Sequence, residues 1–283
     1  MDLLSTHVKV GSDEFTANTR HFERDGEVEM PDLRIAGHRL EVVSQAPALP
    51  DRPWIVFLHE GLGSAGQWRN FPARVAARTG CGTLTYSRWG YGGSDTRPRP
   101  WPATFLDEEA TAILPGLLAK FGISEPVLFG HSDGGSIALI YAAAFPDAAR
   151  GVIAEAAHVM VEEIQLTGIV RTRQRFLDGD LRARLRKQHG GQVDDTVLGW
   201  TDTWLRPDLR AWDIRPRLPS IRCPVLVIQG REDDFGTLAH VEEIVIGVAG
   251  RAERLVLDDC GHVPHREKAR EVLAAVTRFI QHL

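Results

Sequence analysis

The chain has 283 residues, 43% of them hydrophobic and 25% charged, with a net charge of −5. That is enough apolar material for a large core in one or two domains, and no basic tract suggests a nucleic-acid partner. No stretch is long and apolar enough to suggest a membrane span, and no basic-then-apolar leader opens the chain. Cys81, Cys223 and Cys260, without metal-like spacing, predict reduced thiols and a cytoplasmic setting.

Residues 1–31 have no clean period and are expected to form a loosely docked arm. Leu33, Ile35, Leu40 and Val42 alternate about Gly37-His38, which predicts a hairpin. Trp54–Leu58 is apolar throughout, hence a strand covered on both faces. It runs into His59-Glu60-Gly61-Leu62-Gly63-Ser64. A glycine-rich loop there can aim backbone N–H groups at a developing oxyanion; a plain strand-to-helix turn is the alternative. A helix over Phe71–Arg78 and a strand over Gly82–Tyr86 follow. In the loop Arg88–Asp95, Asp95 stands where a phosphate-cradling fingerprint needs a third glycine, so no dinucleotide cofactor is expected. Leu106–Phe121 has helical periodicity, with a kink or break expected at Pro115.

Pro126 starts another apolar strand, which ends in Gly130-His131-Ser132-Asp133-Gly134-Gly135 and passes at once into the helical run Ser136–Ala144. Gly-x-Ser-x-Gly between a strand and a helix predicts a turn so sharp that the serine hydroxyl stands clear of the sheet. Residues two before and two after the serine then crowd against backbone, which Gly130 and Gly134 permit. The helix opening at Asp133 offers N–H groups to negative charge. His131 is expected to be a packed neighbour, and Asp133 a helix N-terminal acid or, alternatively, a pocket-facing carboxylate.

Gly151–Ala157 predicts a further strand. From 158 to 220 strand-like runs vanish and charged helical stretches appear at Val161–Leu177, Leu181–Lys187 and Val197–Leu205. An insertion this long between buried strands predicts a cap. Arg171, Arg173, Arg175, Arg182, Arg184, Arg186 and Lys187 read as a solvated face, with an inward arginine on a substrate carboxylate as the alternative. Trp200, Trp204 and Trp212 suit packing; Trp204, with Trp68 and Trp89 after the two glycine loops, is a candidate substrate wall. A strand at Val225–Gln229, a helix at Val241–Val248, a strand at Glu253–Leu257 and a helix at Arg266–Leu283 complete an α/β pattern with a mostly parallel sheet.

A serine hydroxyl needs a base, and the base an orienting carboxylate. The loop after Val225–Gln229 carries Glu232, Asp233 and Asp234; the loop after Glu253–Leu257 carries His262 and His265. The order serine, acid, histidine, together with Gly130-x-Ser132-x-Gly134, Gly230-x-x-Asp233, Gly261-His262-x-Pro264, His59-x-Gly61-x-Gly63 and Gly90-x-Gly92-x-Ser94, resembles the α/β-hydrolase fold superfamily over residues 32–283. The resemblance implies an α/β-hydrolase core at 32–157 and 221–283 with a helical cap at 158–220. It implies Ser132 as nucleophile, Asp233 as acid and His262 as base, with Glu155 the alternative acid. The N–H groups of Asp133 and Gly61 are the implied oxyanion donors. Glu60, standing where the family usually has glycine, is the alternative second donor.

The implied activity is cleavage of a small or medium carboxylic ester or lactone. Carbon–carbon hydrolysis of ring-cleavage products is the second reading, although His131 stands where those relatives often carry asparagine. A receptor-like binding protein is the reading from another class. A small-molecule substrate is expected, with no metal, organic cofactor, nucleic acid or membrane partner; a homodimer is compatible with the sequence.

Overall fold

The computed structural model describes residues 23–24, 27–29 and 33–283, so the expected arm lies largely outside the described residues. Its described parts, β1 (Glu23–Arg24) and β2 (Glu27–Glu29), pair antiparallel at one sheet edge. The predicted hairpin is β3 (Arg34–Ile35) and β4 (His38–Arg39), turning at Ala36-Gly37, both with positive φ. The remaining strands are β5 (Val42–Gln45), β6 (Trp54–Leu58), β7 (Gly82–Tyr86), β8 (Val127–His131), β9 (Gly151–Glu155), β10 (Val225–Gly230) and β11 (Ala252–Leu257). Among the described residues one sheet runs β1-β2-β5-β7-β6-β8-β9-β10-β11, parallel from β7 onward.

Strand periodicity divides the core into two layers. Val56 and Leu58 of β6, Leu128 of β8, Val152 of β9 and Val227 of β10 face one cluster. Ile55 and Phe57, Phe129, Ile153 and Ile228 face the other. On the first face lie α2 (Phe105–Glu108), α3 (Leu114–Lys120), α4 (Asp133–Ala144) and α8 (Ala239–Gly247). On the second lie α1 (Phe71–Thr79) and α10 (Ala269–Gln281). Residues Asp133 to Ala142 of α4 are all buried, as a helix apolar on every side must be.

The break expected at Pro115 is a π-helical segment, Glu109–Ile113, between α2 and α3. Proline brings no N–H and crowds the preceding turn, so the ladder widens ahead of it. The expected final helix is divided: α9 (Pro264–Glu267) is followed by non-helical Lys268, then α10.

Between β9 and β10 the chain leaves the sheet for α5 (Glu163–Asp178), α6 (Leu181–His189) and α7 (Val193–Trp204). Helix α7 begins four residues before the predicted start, with Asp194 and Asp195 in its first turn, where carboxylates suit the helix dipole. A bridge between Met160 and Asp213 closes the base of this excursion. Its far side is tied to the core by His189: Nε2–H donates to the Leu62 carbonyl (3.0 Å) and Nδ1 accepts from the Gly92 N–H (3.0 Å).

The register brings the chemical loops together. Gly130 pairs with Leu58, His131 with Glu155, Glu155 with Ile228 and Gly230 with Leu257. The loops carrying residues 59–64, 132, 156–158, 231–236 and 258–263 therefore leave one edge of the sheet side by side.

Candidate active site

Ser132 joins β8 to α4 with φ 55° and ψ −119°, a region that side-chain-bearing residues seldom occupy. Its N–H donates to the Glu155 carbonyl (2.8 Å). The crossing of α4 over the sheet is so close that a Cβ on Gly134 would stand 1.9 Å from the Leu58 carbonyl oxygen. Only glycine fits there, and the turn depends on it.

His262 lies 130 residues away in the loop after β11, yet its Nε2 is 2.9 Å from Ser132 Oγ. Its Nδ1 is 2.8 Å from Asp233 Oδ1 and 2.9 Å from Oδ2. Asp233 also accepts from the Phe235 N–H (2.8 Å) and Gln229 Nε2 (2.6 Å). Burial pushes the Asp233 carboxyl up, but His262 and the donated N–H outweigh it and hold the group below its ordinary value. A carboxylate on Nδ1–H leaves the Nε2 lone pair for the serine proton. The histidine loop is itself pinned: Glu267 accepts from the N–H groups of Gly261 (2.7 Å) and Val263 (3.0 Å), and Glu232 from that of Cys260 (2.8 Å). Neither glutamate carries a sequence signal beyond its nearness to the motif.

The loop after β6 is fixed by His59, buried and neutral in character. Burial and Arg88 lower its pKa. The Arg88 N–H donates to Nε2 (3.0 Å), so Nδ1–H donates to the Glu60 carbonyl (2.7 Å). Gly61 and Glu60 both border the cleft with Ser132 and Asp133. Gly61 is packed so tightly under the Trp200 indole that a Cβ there would lie 2.3 Å from it.

The Asp133 side chain is more than a helix-terminal acid. Trp200 Nε1–H donates to its Oδ2 (2.9 Å), and Arg88 Nη2 lies 3.6 Å away, with both charged groups buried. Burial pushes this carboxyl up, and Arg88 and Trp200 draw it partly back. Glu155 does not serve His262. It accepts instead from His265 Nδ1 (2.6 Å) and the His265 N–H (2.6 Å). Burial pushes Glu155 up, but His265 and His131 bring it below its usual value. His131, His265 and Glu155 form the one cluster of possible metal-ligand side chains among the described residues. Its short contact is a hydrogen bond between two of the three groups, which leaves no room for an ion between them.

The cleft above Ser132 has a volume of about 160 Å³. Leu62, Ile169, Trp200 and Phe235 supply its apolar walls, and Gln165 and Thr172 of α5 and His158 its polar ones. Burial and neighbouring imidazoles lower His158 to about 3, so it is uncharged, and its Nε2–H donates to the Phe235 carbonyl (3.0 Å).

The three tryptophans named as candidates for a substrate wall lie outside the cleft lining, and Trp204 takes the packing role that its spacing suits. Trp68 packs beneath the site against Phe57 and Phe129. Trp89 stacks half-buried on His38, 3.7 Å between ring centroids. Trp204 is buried against Phe105 and Trp212. Trp200, one helical turn before Trp204 on the same face of α7, lines the cleft with Ser132. The four-residue spacing identified the face but not which turn overhangs the nucleophile. The cap arginines stay outside: Arg171 pairs with Asp234, Arg173 with Asp202 and Arg182 with Asp194, all exposed. No arginine or lysine lines the cleft among the described residues.

Comparison with known proteins agrees with this fold. A profile of the alpha/beta hydrolase family matches residues 55–276. The chain is 26% identical over 259 residues to a 2-hydroxy-6-oxo-6-phenylhexa-2,4-dienoate hydrolase of Comamonas testosteroni, covering 80% of this chain and 87% of that one. It superposes with TM-score 0.70 and 20% identity on an enol-lactonase from Burkholderia xenovorans, covering 87% of this chain and 98% of that one. An esterase from Exiguobacterium antarcticum superposes with TM-score 0.69 and 18% identity, over 87% and 96%. With a strained serine at the end of β8, two partner loops at the same sheet edge and a profile spanning most of the sequence, the chain belongs to the alpha/beta hydrolase family.

Proposed function

We propose that this hydrolase cleaves a small or medium neutral carboxylic ester or lactone through an acyl-enzyme on Ser132. The carrying observation is the unbroken line from Ser132 Oγ through His262 to Asp233, at 2.9 and 2.8 Å. As Oγ attacks the carbonyl carbon, His262 Nε2 takes its proton and Asp233 supports the resulting imidazolium. The Asp133 N–H, at the start of α4, and the Gly61 N–H receive the oxyanion; one such donor contributes about 10²- to 10³-fold in rate. His262 then protonates the departing alkoxide, and water, activated by the same imidazole, releases the acid. Residues 158–220 act as the cap that shapes the acyl pocket, over a core of 32–157 and 221–283.

The cleft lining favours the ester reading over carbon–carbon hydrolysis. The name of the Comamonas relative describes a carboxylate substrate, a dienoate. Here Glu60 borders the cleft and no cation does, among the described residues; a substrate carboxylate would find no counter-charge there. A binding protein without turnover has no use for a base 2.9 Å from the hydroxyl and a carboxylate behind it. The three buried free cysteines suit a cytoplasmic setting.

The test is a matched panel: p-nitrophenyl esters of two- to eight-carbon acids, five- and six-membered lactones, and a vinylogous 1,5-diketone carboxylate. Turnover of the first two classes with a pre-steady-state burst is expected. Turnover of the diketone carboxylate alone, or tight binding without any turnover, overturns the reading.

A further inference from the structure

Beneath the triad lies a second set of charged groups that the chemistry above does not use. His131 is 1% exposed, at the end of β8 immediately before Ser132. Its Nε2 is 2.6 Å from the backbone carbonyl oxygen of His262. A carbonyl only accepts, so Nε2 carries a proton. Its Nδ1 faces Glu60 of the oxyanion loop, with Oε2 3.6 Å away. Glu155, at the end of β9, and His265, in α9, complete its surroundings; the His131 and His265 rings are 5.1 Å apart, and the His131 and His262 rings 5.2 Å. Trp68 closes the remaining side.

A neutral imidazole protonated at Nε2 would leave a bare, buried Nδ1 lone pair facing the Glu60 carboxylate, with Glu155 close by the ring. Protonating Nδ1 removes that repulsion and gives Glu60 a counter-charge. We propose that His131 is a buried imidazolium that positions the catalytic histidine, joining the nucleophile elbow, the Glu60 loop and the His262 backbone in one charged clasp. The inference rests on the assignment of Ser132 and His262 and adds a residue that touches neither substrate nor reacting atoms.

The clasp acts on the loop and not on the proton transfer. With Nε2–H on its carbonyl, His262 cannot slide along the sheet edge away from Ser132, and Glu60 is held at the cleft border by its pairing with His131. The balance of forces fits: burial pushes His131 down, but Glu60 and Glu155 outweigh it and leave the group raised to about 9. The same pairing holds the Glu60 carboxyl far below its ordinary value against the push of burial. The Glu60 arm of the clasp is therefore closed at neutral pH and released as pH rises through about 9, while Nε2–H stays on the His262 carbonyl.

The test combines two measurements on the full chain. In the unmodified protein, imidazole ¹⁵N resonances are followed from about pH 6 to 10.5, His131 being assigned as the set lost in His131→Gln. Both nitrogens protonated at pH 7.5, with a midpoint near 9, are expected; a singly protonated ring at pH 7.5 overturns the proposal. Second, His131→Gln keeps a donor for the His262 carbonyl but carries no charge. Its kcat on an ester that the wild type turns over should fall about 10- to 100-fold, in line with a misplaced catalytic group, with KM within about threefold. The alkaline fall of kcat near pH 9 should disappear from its profile. A variant with wild-type kcat and an unchanged alkaline limb overturns the proposal. Ser132→Ala, run in parallel, separates the two claims: turnover that survives it defeats the nucleophile assignment, whatever His131 does, and the titration still decides the charge.

Discussion

The substitution Gly134→Ala tests how much of the site depends on the contact between α4 and β6. A Cβ at 134 would lie 1.9 Å from the Leu58 carbonyl oxygen, 2.5 Å from its carbon and 2.8 Å from the His59 oxygen. All three obstacles are backbone atoms of the strand and loop that lead to Gly61, the second proposed oxyanion donor, so no side-chain rotation relieves them. Real Cβ atoms essentially never come within 3.0 Å, and the helix must therefore retreat from β6 by about 1 Å. The first turn of α4 carries both Ser132 Oγ and the Asp133 N–H, so the retreat changes their geometry against His262 and Gly61 together. A misplacement of that size costs about 10²-fold in rate. Overpacking costs about 1–3 kcal/mol of stability, offset by about 1 kcal/mol from alanine's better helix propensity. Steady-state kinetics with a p-nitrophenyl ester and urea denaturation read the two effects. Gly191→Ala is the control, since a Cβ there meets nothing within 4 Å. If Gly134→Ala retains wild-type kcat and stability, the close crossing is not what positions the nucleophile, and the argument for the elbow's rigidity fails.

Further outcomes follow from the same geometry. Asp233→Asn cannot accept at both oxygens from His262, Phe235 and Gln229; kcat should fall about 10²- to 10⁴-fold with little change in KM. Glu155→Gln should destabilise the protein by about 1–3 kcal/mol at neutral pH, because buried His265 loses its carboxylate. The Glu155 pKa is depressed on folding, so its stabilisation is present above about pH 4.3 and lost as pH falls through the lower native value; the gap between variant and wild type in urea denaturation should narrow in acid. Trp200→Ala removes a cleft wall and the donor to buried Asp133; kcat/KM should shift toward longer acyl chains, with about 3–5 kcal/mol of lost stability.

Much of this was readable from the residues because the chemistry sits where sequence signals are strongest. A buried parallel strand reads as a continuous apolar run, and β6, β8 and β10 were legible for that reason. A strained turn demands glycine at set distances, so Ser132 announced itself. Strand ends narrowed the acid and base to the loops at 230–235 and 258–265; the resemblance to the family implied Asp233 and His262 within them. The cap was legible as an excursion, but its inner surface was not. Which face of a helix meets the cleft depends on how α7 crosses the core, and a period of 3.6 leaves Trp200 and Trp204 equivalent. Arg88 gave no signal because its partner, Asp133, is 45 positions away and both sit in stretches whose glycines explain them without it. The pairing of Glu155 with His265 instead of His262 depends on a three-residue offset along one loop, which motif spacing does not resolve.

The central claim is that the Ser132 hydroxyl, activated by His262, is the group that becomes acylated. The direct measurement is peptide mass spectrometry after reaction with a serine-directed fluorophosphonate, on the wild type and on His262→Ala. The account predicts one adduct per chain on the peptide containing Ser132, formed at least about 10³-fold more slowly in the variant. An adduct confined to another residue, or equal rates with and without the imidazole, would contradict it.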